Sequence, residues 1–71
     1  MNEIALSVNG EPVRVAVGST IADLVTRLTE EVDPKGVAVA VDRCVVPRSE
    51  WSTTPARAGS LVEVVSAAAG G

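Results

Sequence analysis

Ile4, Leu6 and Val8 alternate with Ala5 and Ser7, and Val13, Val15 and Val17 alternate with Arg14 and Ala16. A period of two marks a strand with one buried face. Asn9-Gly10 separates the two runs. Both central residues of a type I′ turn need positive φ, which Asn and Gly tolerate. The pattern predicts a hairpin over residues 3–17. Pro12 has no N–H to give to a ladder, which predicts that the second strand lies at a sheet edge.

The period changes after Gly18-Ser19. Ile21, Leu24, Val25 and Leu28 recur at i, i+3, i+4 and i+7, the spacing of a helix with one apolar face. Thr20 is a good N-cap, and Asp23 completes a capping-box variant three residues on, where its charge also suits the helix dipole. The helix is predicted to end near Glu30, before the turn cluster Asp33-Pro34-Lys35-Gly36. Val37–Val41 then alternates valine with alanine, predicting a third strand with its valines inward. Asp42-Arg43 turns the chain into a short fourth strand, Cys44–Val46, which Pro47 stops. Residues 48–58 show no period and predict an irregular crossing with a turn of helix around Ser49–Trp51. Ala58-Gly59-Ser60 leads into the last strand, Leu61–Val65.

Hairpin, helix, short strands and a returning last strand predict a two-layer α+β arrangement. The order fits the β-grasp topology: a mixed sheet of four to five strands packed on one helix, its first and last strands central and parallel. Residues 1–65 are expected to form this domain, and residues 66–71 a flexible C-terminal tail ending in Gly70-Gly71. If Val62 and Val64 face the helix, alternation turns Leu61, Glu63 and Val65 toward water. Ala5, Ser7, Ala38 and Ala40 would surround them, giving a smooth, partly apolar face that leads into the tail. Leu61, Glu63 and Val65, with Ala67, Ala68 and Ala69, are the predicted partner-binding residues.

Composition narrows the function. A chain of 71 residues makes one small domain with a thin stability margin. It has one cysteine and no histidine, so neither an internal disulfide nor a Cys/His zinc site is expected. Phe and Tyr are absent, which leaves an aliphatic core with Trp51 as the single aromatic. The net charge is −3 with both signs scattered, unlike a nucleic-acid or anionic-membrane surface. No basic region precedes a long apolar run near the N-terminus, and no run approaches a membrane span. A free thiol without a secretory signal predicts the cytoplasm.

The end of the sequence carries the candidate chemistry. Alanines and glycines bury little surface, and glycine's wide φ/ψ range lets a Gly-Gly end thread a narrow channel. A carboxylate on Gly71 has no Cβ beside it, so a phosphate or a nucleophile can approach closely. Carboxylates are poor acyl donors; joining one to AMP supplies a leaving group, and sulfur can then displace AMP to give a thiocarboxylate. The chain has no phosphate-cradling glycine loop and no histidine base. It is therefore predicted to be a substrate and carrier with no catalytic residues, no bound cofactor and no metal. ATP and Mg²⁺ would be used by an activating partner.

"VNGEPV" at 8–13, "TIADLV" at 20–25, "VVPRSEW" at 45–51 and "GSLVEVVSAAAGG" at 59–71 together resemble the ThiS-type sulfur carriers of thiamine biosynthesis. The resemblance covers nearly the whole chain. Val46-Pro47-Arg48 with Trp51, at its distance from Gly70-Gly71, is the most discriminating element. The resemblance implies a ubiquitin-like fold and three partners: an E1-like adenylating enzyme of the ThiF type, a sulfur donor system, and a thiazole synthase of the ThiG type. It implies that Gly71 is the residue adenylated and converted to a thiocarboxylate, and that Gly70 is the threading residue. Two positions depart from the family. Gly59-Ser60 stands where Gly-Asp is common, and Ala67-Ala68-Ala69 stands where a larger apolar residue is often found, which weakens a partner's grip on the tail.

Among single residues, Trp51 is expected to plug one end of the sheet, Arg48 and Lys35 to be solvated charges, and Cys44 to be a small core residue rather than a sulfur relay. Three alternatives stay open from the sequence. They are a carrier for molybdopterin or cysteine synthesis, a ubiquitin-like protein modifier joined to lysines through Gly71, and a β-grasp interaction module with an inert tail.

Overall fold

The computed structural model describes residues 2–30 and 35–66. Strands β1 (Glu3–Val8) and β2 (Glu11–Ala16) form the expected antiparallel hairpin, with Val8 opposite Glu11 and Glu3 opposite Ala16. Its turn places Asn9 at φ 52° and Gly10 at φ 85°, the left-handed pair that the dipeptide predicts. β2 is an outer strand, as Pro12 requires. An outer strand presents unpaired carbonyls, and the Arg27 guanidinium of the helix donates to one of them, that of Arg14, at 2.8 Å.

Helix α1 (Ile21–Thr29) starts with a reciprocal capping box. The Asp23 N–H donates to Thr20 Oγ1 at 3.2 Å, and the Thr20 N–H donates to Asp23 Oδ2 at 2.9 Å. At the other end Glu30 is left-handed at φ 60°, and its N–H donates to the Thr26 carbonyl at 2.7 Å. Ile21, Leu24 and Val25 are buried, but Leu28 is 44% exposed, which corrects the fourth position of the predicted face. At 100° per residue Leu28 lies in line with Leu24 and Ile21. Its exposure therefore reflects its place in the last turn and not its angular position.

Strands β3 (Val37–Val41) and β4 (Cys44–Val46) pair around a second left-handed turn, Asp42 at φ 50° and Arg43 at φ 72°. A 3-10 helix over Arg48–Thr53 follows. The crossing after it is tied to the start of α1. The Ile21 N–H donates to the Thr54 carbonyl at 2.9 Å, and the Ala56 N–H donates to the Ser19 carbonyl at 2.8 Å. β5 (Leu61–Ser66) completes a five-stranded sheet of order β2-β1-β5-β3-β4. It runs parallel to β1 and antiparallel to β3, so the last strand is the central one and the architecture is the expected β-grasp. Pairing continues to Ser66, opposite Val37, one residue beyond the predicted strand end at Val65.

The core lies between α1 and one face of the sheet. Leu6, Val8 and Val15 of the hairpin meet Val39 and Val62 of the inner strands beneath Ile21, Leu24 and Val25. Trp51 and Ala56 close it from the crossing segment. Trp51 is 6% exposed and its indole N–H donates to the Val46 carbonyl at 3.0 Å, so the ring packs as expected with its polar atom satisfied. Two leucines of α1 give a direct check of this core. Leu24→Ala should cost about 2–5 kcal/mol by urea denaturation, the range for truncating a buried leucine. Leu28→Ala should cost under about 1 kcal/mol, because that side chain is already partly solvated. Equal losses would contradict the burial described here.

Candidate functional site

The register of β5 decides which of its side chains are available to a partner. Val62 is buried and Val64 packs against the core, so the residues between them face away from the helix. Leu61 is 53% exposed, Val65 is 61% exposed, and Glu63 is exposed between them, as alternation predicts. Ser7 lies beside Leu61, Ala40 beside Glu63 and Ala38 beside Val65. These small side chains leave open depressions between the large ones, one of them lined by Ala38, Ala40, Val45, Glu63 and Val65. Val45, 76% exposed and paired with Ala40, extends the face onto β4. Sequence reasoning left Val45 out of the candidate residues. The three-residue length of β4 hid the alternation that places Val45 on the opposite side from Cys44 and Val46.

The side chains of Asp42 and Asn9 fasten β5, and both belong to tight turns. At the start of the strand the Leu61 N–H donates to Asp42 Oδ1 at 2.9 Å, while the Asp42 N–H donates to the Leu61 carbonyl at 2.7 Å. Nearer its end the Val64 N–H donates to Asn9 Oδ1 at 2.9 Å, and Asn9 Nδ2 donates to the Val64 carbonyl at 3.1 Å. In sequence these two residues read only as turn formers. The available signal was the choice of Asn and Asp over Gly: both tolerate the left-handed region and both carry a polar group that can reach a neighbouring backbone.

Two single-residue expectations need correction. Cys44 is exposed and not a core residue, because the register that sets it beside half-buried Val41 does so on an outer strand of the sheet. Arg48 is not simply a solvated charge: its guanidinium carbon stands 4.8 Å from the centroid of the Trp51 ring, a cation–π distance. Lys35 is exposed, as expected. Ser60 is 5% exposed, and its carbonyl accepts the Ser7 N–H at 2.9 Å. Among the described residues there is no group of acidic, cysteine or histidine side chains able to hold a metal, and no helix long and apolar enough to cross a membrane. The predicted tail residues Ala67, Ala68, Ala69, Gly70 and Gly71 lie outside the described residues.

Comparison with known proteins bears on the same features. The model of the ThiS family matches residues 3–71, which takes in every strand, the helix and the Gly-Gly pair. Among solved structures, the crystal structure of the thiamine biosynthesis protein ThiS from Geobacter metallireducens is similar at a TM-score of 0.76 and 26% sequence identity, over 89% of this chain and 93% of that one. No curated protein matches the chain significantly.

The open face should be separable from the fold. Leu61→Thr and Val65→Thr keep strand propensity while removing apolar surface from water-facing positions. Each should change unfolding free energy by no more than about 0.5 kcal/mol. A loss in urea denaturation as large as that of Leu24→Ala would show that these side chains are packed and not presented.

Proposed function

The chain belongs to the ThiS family, and on that premise we propose that it serves thiamine biosynthesis as a sulfur carrier whose C-terminal glycine, Gly71, is adenylated and then converted to a thiocarboxylate. One observation carries this reading. The strand that leads to the Gly-Gly pair is the same strand that presents Leu61, Glu63 and Val65 on the uncovered face of the sheet.

In this reading a carboxylate oxygen of Gly71 attacks the α-phosphorus of ATP, pyrophosphate leaves, and an acyl-adenylate forms. Sulfide delivered by a donor system then attacks the Gly71 carbonyl carbon and AMP leaves, so that –C(=O)–S⁻ replaces –C(=O)–O⁻. An E1-like enzyme of the ThiF type supplies the ATP and Mg²⁺ site. A thiazole synthase of the ThiG type then takes the sulfur into its substrate, an oxygen from that substrate or from water takes its place on Gly71, and the carboxylate is regenerated for another round. The chain does none of this chemistry itself and is the substrate and carrier, working in the cytoplasm. Its own residues contribute presentation: the open face docks, Ala67, Ala68 and Ala69 span the distance, Gly70 passes the narrow part of the partner's channel, and Gly71 leaves its carbonyl carbon unshielded.

The decisive experiment incubates the protein with its cognate ThiF-type enzyme, ATP, Mg²⁺ and a sulfide source, followed by intact-mass analysis. A gain equal to one oxygen exchanged for one sulfur, located on Gly71, is the expected result. Unchanged mass with an enzyme shown to be active would overturn the reading, and a ladder of conjugates on other proteins would point to a modifier. Gly71→Val should unfold at the same urea concentration as the wild type yet be adenylated roughly tenfold more slowly or worse, a barrier increase of at least about 1.4 kcal/mol. Equal rates would remove the steric basis for a glycine at this position.

A further inference from the structure

We propose that Asn9 is a positioning residue for the reacting tail: its side-chain amide stands in for the next residue of β1 and fastens the β1 edge of β5 at Val64, close to where the strand ends. The inference rests on the carrier reading above and adds a residue to it.

The β1–β5 ladder is regular up to Asn9. The Ser7 N–H donates to the Ser60 carbonyl and the Asn9 N–H donates to the Val62 carbonyl, both at 2.9 Å. In a parallel ladder the Asn9 carbonyl would take the next N–H of β5, and the residue two further along β1 would donate to the next carbonyl. Here the main chain has left the sheet, because Asn9 and Gly10 form the hairpin turn at φ 52° and 85°. The side chain of Asn9 supplies both missing groups, Oδ1 for the Val64 N–H and Nδ2 for the Val64 carbonyl. An amide is the side-chain group that repeats the donor and acceptor of a peptide bond.

Comparison with the other clamp explains the residue types. At Leu61 the donor is the main-chain N–H of Asp42, so the side chain need only accept, and a carboxylate suffices. At Val64 the main-chain N–H of Asn9 is already used on Val62, so the side chain must donate as well as accept. An aspartate at position 9 would set a carboxylate oxygen against the Val64 carbonyl. A glycine would keep the turn and lose both bonds.

The consequence for the tail is one of aim. The Asn9 rung sits two residues before the end of β5 at Ser66. Along the other edge β3 pairs with Val64, Val65 and Ser66, so losing the rung frees the β1 edge alone and lets the end of the strand pivot about its β3 ladder. A root free to pivot lowers the effective concentration of the Gly71 carboxylate at a partner's reactive site. Of the docking residues, Leu61 and Glu63 precede the clamp and Val65 stays paired with Ala38 of β3, so the loss should fall on the chemical step and not on docking.

The test compares wild type with Asn9→Gly and Asn9→Asp at a temperature where thermal unfolding curves show all three folded. Amide hydrogen exchange at Val64 should be roughly tenfold faster in Asn9→Gly, the effect of losing hydrogen bonds of ordinary net strength. In adenylation by the cognate ThiF-type enzyme, kcat should fall roughly tenfold in Asn9→Gly while KM stays within about twofold, as loss of positioning without loss of docking requires. Asn9→Asp, which keeps the acceptor and the turn but sets a carboxylate oxygen against the Val64 carbonyl, should fall between wild type and Asn9→Gly in both Val64 exchange and kcat. Val64 exchange and kcat in Asn9→Gly within about twofold of wild type would overturn the proposal. So would a loss confined to KM, or one that follows thermal stability across the variants. If wild type itself is not adenylated, the carrier reading fails, and Val64 exchange in Asn9→Gly alone decides whether Asn9 holds the strand.

Discussion

The central strand of this sheet is the last to be made, and it needs hydrogen-bond partners along both edges. β1 supplies one edge and β3 the other, so the N-terminal hairpin and the middle of the chain meet across the final described segment. Asn9 and Val64 are 55 positions apart, yet they share two hydrogen bonds. A sheet closed by such distant pairings must bring its ends together before these contacts can form, which is the condition that slows folding of non-local topologies. The capped helix is the local counterweight. Its capping box and its left-handed end at Glu30 are satisfied within a short stretch and can be assembled before β5 arrives, while its apolar stripe is buried only against the sheet.

One alternation along β5 serves two purposes that compete in most small domains. A domain of this size has little apolar surface to spare, since it buries only about 60% of what its unfolded chain exposes. Val62 and Val64 go to the core, while Leu61 and Val65 are left in water. The exposed pair is bordered by Ala5, Ser7, Ala38 and Ala40, whose side chains are too short to cover it. The outer face is thus a surface whose composition can change without disturbing the core beneath it. The core and the open face use opposite sides of the same few residues.

Nearly all of the architecture could be read from the sequence, because each element announces itself locally. The Asn-Gly turn, the Thr20–Asp23 capping box, the Val-Ala alternation of β3 and the Pro12 edge signal all concern neighbours within a few residues, where spacing and φ preferences decide the outcome. What could not be read depends on neighbours distant in sequence. Cys44 looked like a core residue because its neighbours are valines, but its exposure follows from the place of β4 at the sheet edge. Arg48 is a local exception: Trp51 is only three residues on, and a 3-10 helix brings i over i+3, but a segment without a clear period does not show that the helix begins at Arg48. Leu28 has the right angle on the helix and the wrong axial position. Asn9 and Asp42 were legible as turn residues, while their bonds to β5 became visible only when the strand order placed β5 between their two hairpins.

The division between face and tail also follows from the energetics of small residues. Ala67 through Gly71 carry one methyl group each or none, so they offer a partner little surface from which to gain affinity. If the tail is the reacting end, recognition has to come from the open face of the folded domain. Binding energy gained there can favour reaction at the chain terminus only when the two are held in a defined relation, since interactions remote from the reacting atoms help catalysis by orienting them. The element that could maintain the relation is β5. A strand fastened at Leu61 by Asp42 and at Val64 by Asn9 has a fixed direction at its last described residues. Under the carrier proposal, the small residues beyond it would trade surface for passage, and the fastened strand would supply as aim what the tail gives up in contacts.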